Sequence, residues 1–267
     1  MYNGIDVSKW QGDINWTKVK NAGIEFVIIR DGWGKSSPTQ VDKKFKDNYK
    51  NAKSLDIPVG VYHYSYADSV SDARQEALFC LDNISGMQLE YPVCFDIEDP
   101  EMYALSTELR TEICRAFCSE IENHGYYAMI YCNYDWYVNR LQGALLAQKY
   151  DIWLAQWSGN TPLAPCGIWQ HSESGKIDGI NSNVDLDIAY KNYPSIIKES
   201  GLNGFSSSGS ETKPTYFNYT VKSGDNLWSI AQVFLKTGSN YVKIKQLNNL
   251  TTDVIYPGQI LKIPYSI

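Results

Sequence analysis

Eight short apolar runs, separated by segments with helical periodicity, constrain the fold of this chain more than any other sequence feature. They span residues 4–7, 26–30, 59–64, 93–97, 127–132, 152–156, 167–170 and 184–188. Several are continuously apolar rather than alternating, which is typical of parallel strands covered on both faces. Strands that alternate with helices predict an α/β fold, and eight of them predict a TIM-like β/α barrel. Because the later connections are short and poorly helical, we expect the last turns of the barrel to be irregular.

The clearest helical segments cover residues 70–83 and 106–124. The second begins with Ser106, a residue type that caps helix N-termini, and ends at Gly125, which can adopt the left-handed conformation that stops a helix. These patterns predict two helices between the strands of the barrel.

A change in composition after the last apolar run divides the chain into two domains. Residues 200–210 are rich in Ser and Gly and poor in apolar residues, so we interpret 195–216 as a flexible linker. The predicted domains are therefore 1–194 and 217–267. The net charge of −6 divides unevenly, since residues 217–267 carry five lysines and two aspartates, a net +3, and the remainder carries −9.

Composition also excludes several classes of function. An acidic chain lacks the dense Lys and Arg of a general nucleic-acid binder, and no run approaches the roughly 18 apolar residues of a membrane span. The six cysteines include no CxxC pair and the three histidines are scattered, so we expect buried free thiols and no metal or cofactor. The N-terminal residues lack the basic start and apolar core of a signal peptide.

Acidic residues lie where the predicted strands end, which is where barrel enzymes place their active sites. Asp6 lies in the first apolar run and Asp185 in the last. Asp96 and Glu98 lie at the end of the fourth run, and residues two apart on a strand share a face, with Cα atoms roughly 6.6 Å apart. Crowded carboxyls repel one another's charge, so one holds its proton to a higher pH. An acid beside a base is the pair that glycoside hydrolysis requires.

Aromatic residues accumulate at the same strand ends. The chain has 20 Tyr and 8 Trp, and these side chains offer apolar faces on which sugar rings stack. We expect Tyr62, Tyr131 and Trp153 to face the cleft.

Three nearby residues have an ordinary structural interpretation. Asp99 and Asp187 are as consistent with helix caps or solvated loop residues as with a role in the site. His63 lies between two tyrosines expected to face inward, so its ring should point outward toward the helices.

Six sequence blocks of the first domain, in order, resemble the glycoside hydrolase family 25 lysozymes, which are muramidases of phage endolysins and bacterial autolysins. The blocks are GIDVSKWQG (4–12), PVGVYHY (58–64), FDIE (95–98), IWLAQW (152–157), WQ (169–170) and VDLD (184–187). The resemblance covers residues 1 to about 193. It implies a modified β/α barrel that cleaves the β-1,4 bond between N-acetylmuramic acid and N-acetylglucosamine in peptidoglycan, without a cofactor.

The resemblance also implies roles for individual residues. Glu98 corresponds to the general acid, Asp96 to its partner, and Asp6 and Asp185 to further acids of the cleft. Asp96 could attack as a nucleophile or orient the substrate's own N-acetyl group for attack, and we favour the second. The residues interpreted as substrate-binding are Tyr62, Tyr64, Tyr131, Trp153 and Gln170.

The second domain resembles a LysM module over residues 219–264. The blocks that carry this resemblance are YTVKSGDNLWSIA (219–231), IKQLNNL (244–250) and IYPGQILKIP (255–264). The resemblance implies a small α+β fold of βααβ order that binds N-acetylglucosamine-containing glycans through two loops. The residues it assigns to those loops are Gly224, Asp225, Asn226, Leu227, Asp253 and Ile255. We also expect Asp225 to cap the first helix.

The leading hypothesis is thus a modular, bacteriolytic peptidoglycan muramidase of the phage endolysin type. Such a chain would be made in the bacterial cytoplasm and act at the cell wall after release, or act outside the cell. Its partner would be the wall glycan, with no nucleic acid and no membrane insertion. The alternatives are a non-catalytic wall-binding protein and a chitinase.

Overall fold

The computed structural model describes residues 1–35, 37–206, 216–235, 237–248, 250 and 252–264. These residues form two compact units, one on each side of the stretch 207–215. No helix within the described ranges is long and apolar enough to cross a membrane. Five of the six cysteines are buried, and none of the six forms a disulfide in this structure.

The first unit is a closed barrel of eight strands that pair in chain order. The strands are β1 (Tyr2–Val7), β2 (Phe26–Trp33), β3 (Val59–Tyr64), β4 (Val93–Asp96), β5 (Ala128–Asn133), β6 (Asp151–Ala155), β7 (Ile168–Gly175) and β8 (Val184–Ala189). The predicted TIM-like barrel is therefore confirmed, strand by strand. Strands β1 to β7 are parallel to one another, whereas β8 is antiparallel to both β7 and β1.

One helix follows each of the first five strands, and a sixth follows β8. They are α1 (Trp16–Asn21), α2 (Phe45–Ser54), α3 (Val70–Asn83), α4 (Thr107–Asn123), α5 (Gly143–Leu146) and α6 (Tyr193–Glu199). The side chain of Ser106 accepts a hydrogen bond from the backbone N–H of Leu109, which fixes the start of α4 as predicted. No helix connects β6 to β7 or β7 to β8 among the residues described there, so the last turns are irregular, as the sequence indicated.

Two apolar layers position the site. Phe26 and Ile28 on β2 point into the barrel, where they pack with Met129 and Trp153, while alternate residues pack against the helices. Gly4 on β1 allows this inner layer to close, because a Cβ atom there would lie 2.2 Å from the ring of Phe26.

The predicted boundary of the linker at residue 195 is wrong. Helix α6 crosses it, and Asn203 is fully buried against the barrel. The Asn203 side chain donates to the carbonyl oxygens of Leu89 (3.0 Å) and Tyr91 (2.9 Å) and accepts from the N–H of Tyr127 (2.7 Å). This polar segment packs against the barrel because backbone groups satisfy the hydrogen-bonding groups of the Asn203 side-chain amide. Residues 207–215 of the predicted linker lie outside the described residues, and residue 216 begins a strand.

The second unit has the predicted βααβ order. Strand β9 (Tyr216–Thr220) pairs antiparallel with β10 (Ile260–Pro264), and α7 (Leu227–Phe234) and α8 (Tyr241–Leu247) lie between them in sequence. Their apolar faces form a separate small core, as a two-stranded sheet requires. The buried members of this core include Val221, Leu227, Ile230, Ile244, Leu261 and Ile263.

Candidate active site

A cavity of about 160 Å³ lies at the carboxyl ends of the parallel strands. It is lined by Asp6, Tyr62, Asp96, Tyr131, Trp153, Trp157, Gln170, Glu173 and Asp185. The reversal of β8 brings Asp185 to this end, since its Cα is the register partner of Asp6. Three of the four predicted acids therefore meet in one cavity, and the fourth, Glu98, lies beside Asp96 at its edge.

Asp96 and Glu98 are linked through the backbone. Strand β4 ends at Asp96, and the N–H of Glu98 donates to Asp96 Oδ1 at 3.3 Å. One carboxylate oxygen of Glu98 accepts a hydrogen bond from the N–H of Asn133 at the end of β5. Ile97 between the two acids is buried in the layer under the helices, which leaves both carboxyls on the side of the cavity.

Burial determines the protonation of this pair. It raises the pKa of Glu98 to about 7, against the opposing effect of the Asn133 hydrogen bond. Burial also raises the pKa of Asp96 well above its ordinary value, and the Glu98 carboxylate raises it further. The N–H of Glu98 and the positive charge of Arg30 act in the other direction and favour ionised Asp96. The pair can thus hold one proton near neutral pH.

A second group of carboxyls lies across the cavity on β1 and β8. Burial raises the pKa of Asp6, and the charges of Asp187 and Asp185 raise it further. Burial raises the pKa of Asp185 to about 6. Asp187 is buried and accepts a hydrogen bond from Trp153 Nε1 at 2.8 Å. Asp187 is therefore neither a cap nor a solvated loop residue.

The aromatic residues form the walls of the cavity. Trp153 is 1% exposed, and its ring contacts Tyr131 and Tyr62 edge-on at centroid distances of 4.5 and 6.0 Å. Gln170 connects this wall to the acids: its Oε1 accepts from Tyr131 Oη (3.1 Å), and its Nε2 donates to Asp6 Oδ2 (2.7 Å). Gln170 therefore holds one carboxylate in place from within the barrel.

Tyr64 does not line the cavity, although it was predicted to bind substrate. Its hydroxyl donates to Asp99 Oδ2 at 3.1 Å, at the rim beyond Glu98. Asp99 Oδ1 accepts from the N–H of Glu101, so Asp99 has the capping role that the sequence left open.

Two cavity residues were absent from the predicted site. Glu173 lies on the part of β7 that extends beyond the predicted end at residue 170, and Trp157 follows β6. Trp157 is 52% exposed and donates from Nε1 to Gln170 Oε1 at 3.1 Å. Residues two apart on a strand share a face, which is the rule that grouped Asp96 with Glu98. The same rule groups Asp187 with Asp185 and identifies it as a neighbour of the site.

One group of described residues has the composition of a metal site: the ligand atoms of Asp31, His63 and Cys80 lie within 4.8 Å of one another. His63 points outward, as predicted, and is fully buried. Its Nδ1 contacts both oxygens of Asp31 (3.0 and 3.1 Å) and its Nε2 contacts the carbonyl of Gly34 (2.8 Å). Burial lowers the pKa of His63, but Asp31 outweighs it and the net pKa is raised. Since both ring nitrogens face acceptors, this is a buried ion pair rather than a ligand set.

The predicted glycan-binding residues of the second unit divide into two groups. Asn226, Leu227 and Asp253 line a groove of about 330 Å³ together with Trp228 and Tyr241. Trp228, which is 57% exposed, offers the groove an apolar face.

Gly224, Asp225 and Ile255 do not line this groove. Asp225 closes the preceding turn, accepting from Tyr219 Oη and the N–H of Lys222, both at 2.7 Å. The prediction that Asp225 caps α7 is wrong, because Asn226 is the cap. Ile255 packs against the core of the unit.

Comparison with known proteins decides the family. Residues 5–180 match the sequence profile of the glycosyl hydrolases family 25. The chain belongs to this family. Residues 219–264 of this family 25 hydrolase also match the LysM domain, as the sequence indicated.

Curated relatives and solved structures agree with this assignment. The hydrolase is 32% identical to Lysozyme M1 of Streptomyces globisporus, over 68% of this chain and 65% of that one. It is 28% identical to the autolytic lysozyme of Clostridium acetobutylicum, over 69% of this chain and 54% of that one. The chain therefore spans less than two thirds of the length of these relatives. The bacterial lysozyme from Streptomyces coelicolor superposes with a TM-score of 0.66 at 27% identity, over 74% of this chain and 98% of that one.

Proposed function

We propose that this family 25 hydrolase is a lysozyme that cleaves the β-1,4 bond between N-acetylmuramic acid and N-acetylglucosamine in bacterial peptidoglycan. The observation that carries the proposal is Glu98, a carboxyl with a pKa of about 7 beside Asp96, which lines an aromatic-walled cavity. Such a group is still protonated where its neighbour can be ionised, so it can donate to a leaving oxygen. Relatives named as lysozymes support the same assignment.

The proposed reaction has two steps. Glu98 protonates the glycosidic oxygen as the bond to C1 breaks, while Asp96 accepts a hydrogen bond from the N–H of the substrate's N-acetyl group. The carbonyl oxygen of that group then bonds to C1, so the first product leaves with the proton of Glu98. Water next attacks C1 and gives a proton back to Glu98, which reopens the ring and restores the acid. A direct bond from Asp96 to C1 is the alternative.

The proposed acid predicts how the rate depends on pH. Because burial raises the pKa of Glu98 to about 7, the protonated form that donates should be lost as the pH rises above that value. We expect kcat/KM on a soluble muropeptide to fall about tenfold per pH unit above 7, since one proton is required. A kcat/KM that stays constant up to pH 9 would contradict the assignment of Glu98.

Two substrates separate the proposal from its alternatives. The protein should release reducing ends from purified peptidoglycan at least about tenfold faster than from chitin. Faster release from chitin would indicate a chitinase. Release from neither would indicate a non-catalytic wall-binding protein.

We further propose that the LysM unit holds the enzyme on the wall. Binding through its groove raises the local concentration of substrate, which matters when enzyme is scarce. A Trp228→Ala variant should clear intact walls roughly tenfold more slowly at low enzyme concentration, because the exposed indole of the groove is lost. Its kcat/KM on a soluble muropeptide should equal that of the parent.

Val233→Ala is the matched control, since Val233 lies on the same helix, is 72% exposed and does not line the groove. An unchanged clearance rate for Trp228→Ala would overturn the targeting role.

A further inference from the structure

The mouth of the barrel is acidic, but its sign of charge reverses on one side. Two cations lie on that side, Lys9 just after β1 and Arg30 on β2. Arg30 is paired: its Nε and Nη2 donate to Asp42 Oδ2 at 2.9 and 2.7 Å, and the Asp42 side chain is fully buried. Lys9 differs, because no described carboxylate lies within ion-pair distance of its ammonium group.

The ammonium of Lys9 lies between two indoles instead. Its Nζ is 4.9 Å from the ring centroid of Trp10 and 4.6 Å from that of Trp33. Aromatic faces attract a cation but accept no conventional hydrogen bonds, so the N–H donors of the ammonium group remain available. We call Lys9, Trp10 and Trp33 the cationic ledge.

The backbone holds the ledge in position. Asp42 Oδ2, which binds Arg30, also accepts the N–H of Lys9 at 3.0 Å. Ser8, just before Lys9, caps a 3-10 turn (Lys9–Gln11) and exchanges hydrogen bonds with Gln11. A buried acid thus fixes both the lysine and its neighbouring arginine.

Strand register places the ledge beside the catalytic cavity. Arg30 is the partner of Tyr62, and Trp33 the partner of Tyr64, because an irregularity between Arg30 and Gly32 shifts the register of β2. Tyr62 lines the cavity, and the charge of Arg30 acts on both Tyr62 and Asp96. The guanidinium carbon of Arg30 also lies 5.3 Å from the ring centroid of Trp33, so the ledge adjoins the side of the cavity that Tyr62 forms.

We propose that the cationic ledge binds a carboxylate carried by the muramyl residue of the substrate. This inference rests on the proposed function. Muramic acid bears a lactyl ether whose carboxyl is either free or joined to a peptide with carboxylates of its own, whereas N-acetylglucosamine has no anionic group. The carboxylates at the mouth of the barrel would repel an anionic sugar. The Lys9 ammonium between two apolar faces attracts one, and so it favours a sugar that carries an anion. Lys9 is thus a specificity-determining residue rather than a catalytic one.

Matched substrates test this inference. Glycan strands freed of peptide by an amidase carry lactyl carboxylates, and coupling them to methylamine with a carbodiimide gives the neutral counterpart. The parent should show a KM about tenfold lower for the charged strands, as one hydrogen bond to a charged group implies. Lys9→Met should have the same KM for charged and neutral strands, with kcat unchanged. Lys9→Arg should retain the tenfold difference in KM. Lys50→Met, which removes an exposed lysine from α2, should behave as the parent.

A Lys9→Met variant that matches the parent both in its charged-to-neutral KM ratio on stripped strands and in its KM on peptide-bearing strands would overturn the proposal. Glycan strands that retain their peptides are the third substrate of this experiment. An effect of Lys9→Met on peptide-bearing strands alone assigns the contact to a peptide carboxylate, and an effect on the stripped strands assigns it to the lactyl group. If the parent cleaves no strand, the proposed function has failed. The role of Lys9 is then decided by binding alone, as the ratio of the Kd values for charged and neutral strands measured by calorimetry.

Discussion

Replacing Glu98 with glutamine is expected to reduce kcat on peptidoglycan about 10³-fold, as the loss of a general acid typically does. The amide has nearly the same shape and can still accept the N–H of Asn133, so the loop after β4 should keep its conformation. It has no proton to give to the leaving oxygen. The rate should be followed as reducing ends released from purified peptidoglycan.

The controls separate lost chemistry from lost structure. Glu101→Gln makes the same change three residues away at an exposed position, and its kcat should match that of the parent. The melting temperature of Glu98→Gln should not fall, because the substitution removes a buried ionisable group. Retention of more than about a tenth of the parent kcat by Glu98→Gln would exclude Glu98 as the general acid.

Asp96→Asn should have the second largest effect, a loss of about 10²-fold or more in kcat. Asparagine keeps the shape of the side chain but removes the negative charge that would orient the N-acetyl group and stabilise positive charge near C1. Asp68→Asn is the matched control, since Asp68 follows β3 at an exposed position. A kcat within a factor of two of the parent for Asp96→Asn would remove Asp96 from the mechanism.

A second substrate, tested with the parent enzyme, distinguishes the two roles of Asp96. A muropeptide without the N-acetyl group on the cleaved muramic acid has no internal nucleophile. Under substrate assistance the parent should cut it at least about 10²-fold more slowly than the acetylated form. If the two muropeptides are cut at the same rate, Asp96 attacks C1 directly.

The strands of the barrel were predictable because their signal is local. Each is a short apolar run between turn residues, and all eight runs became strands of the barrel. The direction of β8 depends on a partner distant in sequence, and the apolar runs did not indicate it. The predicted runs for β7 and β8 leave residues 171–183 between them, long enough for a parallel crossover, and the connection shortens to 176–183 only because β7 extends to Gly175.

Burial of polar groups accounts for the remaining errors. Asn203 lies in a segment whose composition predicts a linker, yet its side-chain amide makes three hydrogen bonds to the backbone of the barrel. The sequence left Asp187 open between a cap or loop residue and a residue of the site, and the structure shows Trp153 donating to it inside the barrel. In each case the partner is distant in sequence, so composition alone indicates solvent exposure where the structure has a buried hydrogen bond.

The site itself was partly readable from strand positions. Asp6, Asp96, Tyr62, Tyr131, Trp153, Gln170 and Asp185 all line the cavity. Glu98 and Tyr64 lie outside its lining, because β4 ends at Asp96 and because Tyr64 is held by Asp99. The cationic ledge could not be found from sequence, since Lys9 and Trp33 meet only through the register of β1 and β2.

The identity of the sugar at the new reducing end tests the central proposal most directly. Peptidoglycan digested by the parent should be reduced with borohydride, hydrolysed in acid and analysed for amino-sugar alcohols. A lysozyme leaves N-acetylmuramic acid at the reducing end, so muramitol should accumulate with digestion while glucosaminitol stays at the level of the undigested wall. Accumulation of glucosaminitol, or of neither alcohol, would contradict the proposed muramidase.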